Sequence, residues 1–580
     1  MVMVNVTVDG QKVEVPKGST ILEAAKRVGI KIPTLCHHED LNVNAMCRIC
    51  VVEVVGARTL QAACSQPVSD GMVIITNSPA VRQARKMNLE LLLSNHPQDC
   101  LNCVRNQRCE LQTLADQLGV RAQSFPAKKG SEYPKDESTA ALVRDPDKCI
   151  LCRRCVEVCH DVQGVGAIGA ANRGVDTQIL PAGGVDLNDV ACVLCGQCSL
   201  VCPVGAIYEQ DHTEQVWTAL ADPDKHVVVQ TAPAIRVSIG EEFGLEPAQV
   251  TTGKLVAALR RLGFDRVFDT DFTADLTIIE EGHEFIQRLT NGGTLPMITS
   301  CSPGWIKFIE HFYPDYLEHL STCKSPQQMF GALAKSYYAE KAGLDPKDIY
   351  VVSIMPCTAK KFECNRPEMS ASGYPDVDAV LTTRELAKML RQVGIDFNQL
   401  PDEEFDDPFG ITTGAGVIFG ASGGVMEAAL RTVYEVVTKE TLPSVDFTAV
   451  RGIDGIKEAE VDLKGTKVKV AVANGLGNAR QLMELIKAGK ADYQFIEIMC
   501  CPGGCIGGGG QPIGTTNEIR KKRIEAIYEA DRGLPLRKSH ENPAVKALYE
   551  EFLVEPLGEK SHHLLHTHYT KREKYPEASA

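Results

Sequence analysis

One run of four cysteines, Cys149-x2-Cys152-x2-Cys155-x3-Cys159, recurs 43 residues later as Cys192-x2-Cys195-x2-Cys198-x3-Cys202. Eight thiols at that spacing suit two 4Fe–4S clusters, and in such a pair the fourth cysteine of each run serves the other cluster. One cluster then takes Cys149, Cys152, Cys155 and Cys202; the other takes Cys192, Cys195, Cys198 and Cys159. The second run ends in Pro203, and the first carries His160 in that place, which leaves ligation untouched. The chain must therefore fold around inorganic clusters. The wider cysteine usage agrees: 15 of the 22 cysteines lie between Cys36 and Cys202. A disulfide framework belongs to small secreted chains, whereas CxxC spacings in a long chain without a secretory leader favour metal ligation.

Upstream, residues 1–78 open with alternating strands, Val2–Val8 and Lys12–Val15, turning at Asp9-Gly10. A helix is expected from Thr20, its cap, to Arg27. Cys36, Cys47, Cys50 and Cys64 follow at C-x10-C-x2-C-x13-C. Four thiolates suit a 2Fe–2S cluster, and the long irregular first gap is unlike a zinc ribbon. The stretch resembles the plant-type ferredoxin domain, a β-grasp fold, that also opens a large respiratory complex I subunit. Residues 79–125 read as helical, with Arg82 to Ser94 rich in leucine, and carry His96, Cys100, Cys103 and Cys109. H-x3-C-x2-C-x5-C resembles the module in which one histidine and three thiolates hold a 4Fe–4S cluster. A neutral imidazole in place of a thiolate shifts the potential upward. A polar linker is expected over 126–140. Residues 140–212, with the repeated runs, are similar to the bacterial two-cluster ferredoxins. One 2Fe–2S and three 4Fe–4S clusters in series make an electron relay.

From about Asp224 the cysteines thin out and short apolar runs alternate with helical stretches. Val227–Gln230, Val267–Asp269, Leu295–Thr299, Ile349–Met355 and Val468–Ala473 read as strands. Gly253–Leu262, Asp275–Leu289, Arg384–Val393 and Ala479–Ala488 read as helices. The expectation is a large two-lobed α/β domain, 224–580, with largely parallel sheet and its ligand site after the strands. The nearest glycine-rich nucleotide loop is Asn474-Gly-Leu-Gly-Asn478, and GxG alone is weak, so the chain is not expected to bind a nicotinamide nucleotide itself.

Three segments of this domain carry a specific pattern: Thr299-Ser300-Cys301-Ser302-Pro303-Gly304-Trp305, Met355-Pro356-Cys357-Thr358-Ala359-Lys360-Lys361, and the glycine-rich stretch from Met499 to Pro512 with Cys500, Cys501 and Cys505. Glycine lets backbone approach a ligand closely. Together these segments resemble the signature segments of iron-only (FeFe) hydrogenases, and the resemblance spans nearly the whole chain. It implies an H-cluster, a 4Fe–4S cubane joined through one thiolate to a two-iron unit bearing CO, cyanide and a dithiolate amine. Cys357 and Cys501 match cubane ligands, and Cys505 matches the bridging thiolate. Lys360 matches the cation that hydrogen-bonds a cyanide, and Pro233, Gln327, Met355, Phe419 and Met499 match the walls around the iron unit. Glu281, Glu284, Ser321 and Cys301 match a proton route; two glutamates three apart on a helix share a face. The pattern departs from the family at two places. Ser302 stands where a cubane-ligating cysteine is common, and Cys500 stands where alanine is. The fourth cubane ligand is thus open between Ser302, Cys500 and Cys301. Cys323 and Cys364 read as buried small hydrophobes.

The resemblance implies reversible oxidation of H2 to protons and electrons, relayed to a flavin- and NAD(P)-binding subunit through a small 2Fe–2S subunit, with ferredoxin as a candidate second acceptor and electron bifurcation as a candidate mode. A hydrogenase-like iron–sulfur assembly factor or an H2 sensor are the alternatives. Cys505, Lys360 and the matched proton route argue against the first, and the lack of an output domain argues against the second. A formal charge of −14 speaks against nucleic-acid binding. With no run long enough to span a membrane and no leader pattern, a cytoplasmic location is expected.

Overall fold

The computed structural model describes residues 2–121, 124–125 and 133–575. The expected linker falls partly outside them, at 126–132. In the N-terminal domain five strands form one sheet in the order Gln11–Pro16, Met3–Val8, Val73–Ile75, Val51–Val54, Gln61–Ala62. Val4, Val6 and Val8 alternate inward and meet Ile21, Ala24 and Ala25 of the helix Ile21–Arg27. Thr20 caps that helix in a capping box with Glu23, so the sequence placed its start correctly. The helical expectation for 79–125 holds for Pro79–Ser94 and Glu110–Gln117. Between them the chain is a cysteine-bearing loop.

The repeat is visible in the backbone. Leu151 and Leu194, one repeat apart, both take left-handed conformations, with φ of 57° and 58°. So do Arg153 and Gly196, at 65° and 69°, just before the short helices Arg154–Glu157 and Gln197–Val201. Each left-handed pair curls its x2 spacers so that the thiols face one side. Two antiparallel strand pairs, Leu142–Arg144 with Ile207–Glu209 and the hairpin Ile168–Ala171 with Gln178–Pro181, close the domain.

The large domain has two four-stranded sheets. In the first, Arg266–Asp269, His226–Thr231, Ile349–Met355 and Ala379–Thr382 are all parallel. In the second, Met297–Ile298, Phe495–Met499 and Thr466–Asn474 are parallel and Ile456–Leu463 is antiparallel. The sequence reading missed Ala379–Thr382, Ile456–Leu463 and Phe495–Met499. Helix Thr270–Asn291 runs against the helices Pro326–Leu333, Gly414–Val417 and Gly424–Thr438. It begins five residues before the expected Asp275, because Asp269 accepts from the Asp271 amide and caps it there.

The relay domains dock on this body through buried polar contacts. Gln197 Nε2 donates to Gly507 O at 2.8 Å, and the Leu476 amide donates to Gln163 Oε1 at 2.9 Å. Arg384 grips Glu209 through two nitrogens, at 2.9 and 2.6 Å. Asp40 of the N-terminal domain accepts from Arg520 and from the Asn517 amide. Among the described residues no helix is long and apolar enough to cross a membrane.

Candidate active site and cluster-binding residues

The three signature segments each leave the end of a strand and converge on one cavity. Cys301 and Ser302 follow Met297–Ile298, Cys357 follows Ile349–Met355, and Cys500, Cys501 and Cys505 follow Phe495–Met499. Parallel strands end on a common side, which is why loops distant in sequence meet there. Pro233, Gln327, Met355, Phe419, Met499 and Lys360 also line the cavity. So does Cys195, from the two-cluster domain.

Glycines make this closeness possible. Gly504 has φ 95° and ψ −156°, a region only glycine enters freely. A Cβ on Gly508 would sit 2.2 Å from Pro356 O, and one on Gly509 would sit 2.3 Å from Cys195 O. The Cys500 thiol lies within hydrogen-bonding reach of both Cys195 and Cys501. Ser302 Oγ accepts from the Cys500 amide at 3.2 Å.

Lys360 Nζ donates to Glu363 at 2.8 Å and to the Cys301 carbonyl at 3.2 Å. Glu363 also accepts from Ser325 Oγ and Gln327 Nε2, at 2.9 and 3.1 Å. Gln327 Oε1 is buried without a hydrogen-bond partner. A second polar line leaves the cavity behind Cys301. Ser321 Oγ donates to Glu284 at 3.0 Å, the Thr322 amide reaches both of its oxygens, and Arg288 pairs with it at 2.6 Å. Burial, then the charge of Glu284, pushes the Glu281 carboxyl up to about 8. Burial and Glu281 likewise raise the Cys301 thiol. Sequence reading assigned Cys195 to a relay cluster but did not foresee it on this cavity wall, and it missed Glu363 and Arg288. Both of those had a local signal, the i,i+3 spacing of Glu363 from Lys360 and the i,i+4 spacing of Arg288 from Glu284.

In the relay domains, Cys149, Cys152, Cys155 and Cys202 share one small cavity, and Cys159, Cys192, Cys195 and Cys198 share a second. Cys50 and Cys64 sulfurs are 3.4 Å apart, and the Cys47 amide points at Cys36 Sγ at 3.5 Å. His96, Cys100, Cys103 and Cys109 lie along one loop, and His96 Nδ1 is a buried orphan. Cys323 is buried, as expected of packing, but its thiol faces Glu284 at 3.9 Å. Cys364 packs in the first lobe's core.

The donor sets suit the groups that the sequence implies. Thiols in groups of four, an orphaned imidazole nitrogen and a thiol-rich, otherwise apolar cavity with one cation are what iron–sulfur centres require. Fold and site together define an iron–sulfur oxidoreductase. Comparison with known proteins narrows this. Residues 225–509 match the iron only hydrogenase large subunit, C-terminal domain, and 517–572 match the iron hydrogenase small subunit. Residues 2–79 match a 2Fe-2S iron-sulfur cluster binding domain, and 85–124 the NADH-ubiquinone oxidoreductase-G iron-sulfur binding region. A 4Fe-4S dicluster domain matches 148–206. The NADP-reducing hydrogenase subunit HndD of Solidesulfovibrio fructosivorans is 55% identical over 99% of this chain and 100% of its own length. Iron hydrogenase 1 of Clostridium pasteurianum is 42% identical over 98% and 100%. A solved structure of apo FeFe-hydrogenase HydA1 from Chlamydomonas reinhardtii, 47% identical, superposes with a TM-score of 0.57 over 63% of this chain and 100% of that one. The chain belongs to the iron-only hydrogenase family, and is an oxidoreductase acting on H2.

Proposed function

We propose that this chain is the catalytic subunit of a cytoplasmic, NAD(P)-linked FeFe hydrogenase. The convergence of Cys357, Cys500, Cys501 and Cys505 on one cavity whose only cation is Lys360 carries the reading. The H-cluster, when bound, supplies the metal chemistry that cleaves or forms H2. Cys357 and Cys501 would hold the cubane and Cys505 would bridge to the two-iron unit. Cys500 would be the fourth cubane ligand, since Ser302 Oγ is already engaged by the Cys500 amide and a hydroxyl gives up its proton far less readily than a thiol. Lys360, fixed by Glu363, presents its ammonium to an anionic ligand, a charge-assisted contact. Pro233, Gln327, Met355, Phe419 and Met499 exclude bulk water.

Protons would pass between solvent and the cavity through Glu284, Ser321, Glu281 and Cys301, with Arg288 anchoring the outer glutamate. Electrons would pass through the cluster held by Cys192, Cys195, Cys198 and Cys159 and onward along the chain. The next clusters are those of Cys149, Cys152, Cys155 and Cys202, then of His96, Cys100, Cys103 and Cys109. The 2Fe–2S cluster at Cys36, Cys47, Cys50 and Cys64 ends the relay, giving four accessory clusters in domains 1–78, 79–125 and 140–212 ahead of 224–580. Likeness to the subunit of an NADP-reducing hydrogenase supports an NADP-handling partner; on this reading that partner is a flavin-binding subunit with a small 2Fe–2S subunit, and ferredoxin is a second acceptor. The test is an infrared spectrum of the matured protein. Bands in the metal-bound carbonyl and cyanide region are expected; their absence at full iron loading would overturn the assignment.

A further inference from the structure

Cys323 has neighbours that a packing residue does not need. The backbone around it is paired: Cys323 and His566 form an isolated antiparallel bridge. The Lys324 amide donates to Leu565 O at 2.8 Å, and the Thr567 amide donates to Thr322 O at 2.7 Å. That pairing holds the two side chains against each other and against helix Thr270–Asn291, which brings Glu284. Ligand atoms of Glu284, Cys323 and His566 all lie within 4.8 Å of one another, and all three residues are buried.

The imidazole is oriented from behind. His566 Nε2 faces Glu280 Oε2 at 3.2 Å, and Glu280 is held by the Ser561 hydroxyl at 2.8 Å, the Leu557 amide at 2.9 Å and the Tyr549 hydroxyl. A carboxylate at Nε2 keeps the ring proton there and makes Nδ1 the acceptor, here of the Thr322 hydroxyl at 2.8 Å, a bond that a cation at Nδ1 would replace. Metal-ligating histidines are oriented in this way. The exposed His562 ring stacks on His566 at 4.2 Å, between it and solvent.

We propose that Glu284, Cys323 and His566 form a binding site for one borderline-soft divalent cation, best matched by Zn2+, with Glu280 orienting the histidine. One oxygen, one sulfur and one nitrogen suit zinc, whereas calcium and magnesium want oxygen alone. Binding forms a zinc–thiolate bond and releases the Cys323 proton to solvent, so affinity rises with pH. The cation also takes an oxygen of Glu284, which now accepts from Ser321. On the proton-route reading given above, an occupied site therefore stops turnover. Apart from that reading the site stands on its own geometry.

The probe is zinc sulfate added to the mature holoenzyme, followed by desalting and zinc-edge X-ray absorption, which does not see iron. One retained zinc with a single sulfur in its shell is expected, at unchanged iron content, together with loss of H2 evolution from a small reductant. Cys323→Ser and His566→Ala should each lose that shell and become zinc-resistant with basal turnover intact. Glu280→Gln should weaken binding by about ten- to a hundredfold. A sulfur-free shell, zinc uptake matched by iron loss, or equal binding by the variants would overturn the site. A sulfur-containing shell with undiminished turnover would uphold the site and remove Glu284 from the proton route instead.

Discussion

Glu281 keeps its proton because of where it sits. Burial and the neighbouring Glu284, with Glu497 adding to them, outweigh the opposing pull of Ser321 and Arg288 and place its pKa at about 8. At neutral pH it is a loaded acid facing a buried thiol. H2 evolution should therefore fall as pH rises through about 8, where Glu281 ionises. Glu281→Gln should lower turnover at every pH, by about a hundredfold or more, and remove that limb while leaving iron content unchanged. Cys301→Ala should do likewise. The sign for stability also follows: a folded pKa above the ordinary 4.5 makes this carboxyl most favourable below pH 4.5 and progressively less so up to about 8. Near-normal rates in both variants would dissolve the route.

The two departures from the family pattern belong to this scale as well. Ser302 and Cys500 are not independent oddities, since the hydroxyl of one accepts from the amide of the other. The arrangement places a thiol beside Cys501 and Cys195 and uses the serine to fix the turn that presents it. Cys500→Ala should lose the cubane's electron paramagnetic resonance signal and about four irons per chain, while Ser302→Ala keeps both. The opposite pattern would return the ligand to the serine.

At the scale of elements, the sequence revealed the ends of strands better than the strands themselves. Cys301, Cys357 and Cys501 stand where apolar runs stop, and the open α/β rule alone predicts that such positions share a crevice. Phe495–Met499 escaped notice because its five residues are all buried and show no alternation. The cavity-facing side of Cys195 was illegible for a different reason, although its spacing marked it as a cluster ligand. Its closeness to Cys500, like the Ser325 contact on Glu363, joins positions far apart in the chain, and no local spacing encodes these; only the Lys360–Glu363 pair, three residues apart, was there to be read. Cys323 fell to the same limit, because its partner His566 lies in the C-terminal segment. The glycine loop is the element where local and distant constraints meet. Gly509 is required by backbone from another domain, with Cys195 O and the Gly196 Cα 2.3 and 2.6 Å from where its Cβ would go. Main chain on both sides cannot yield as a side-chain tip could. Gly509→Ala should cost about 1–3 kcal/mol of stability and force the Cys195 turn away from the cavity. Thermal unfolding measures the first. Slower reduction of the accessory clusters under H2, at retained activity with a small reductant, measures the second.

The whole molecule divides chemistry from conduction along a seam crossed by buried polar contacts. Gln197 donates a buried hydrogen bond to the catalytic body and Gln163 accepts one from it, and Arg384 holds Glu209 bidentately. Burial alone would raise Glu209, yet the Arg384 pair holds it near 2. Such a seam keeps Cys195 against Cys500 in a fixed geometry, as electron transfer between neighbouring clusters needs. It also means that the relay walls the cavity. The HydA1 structure is matched over its full length by 63% of this chain, and a chain beginning at Asp224 keeps a similar share. Given a pre-made two-iron cofactor, that shortened chain should evolve H2 from a small strong reductant. It should fail with a protein partner, having lost every accessory cluster. Removing Cys195 also takes a lining residue from the cavity, so the shortened chain should lose activity faster in air than the full chain does. Cofactor assembled without any turnover from the small reductant would show that chemistry and conduction are not separable. Equal decay in air would show that the relay does not shield the cavity.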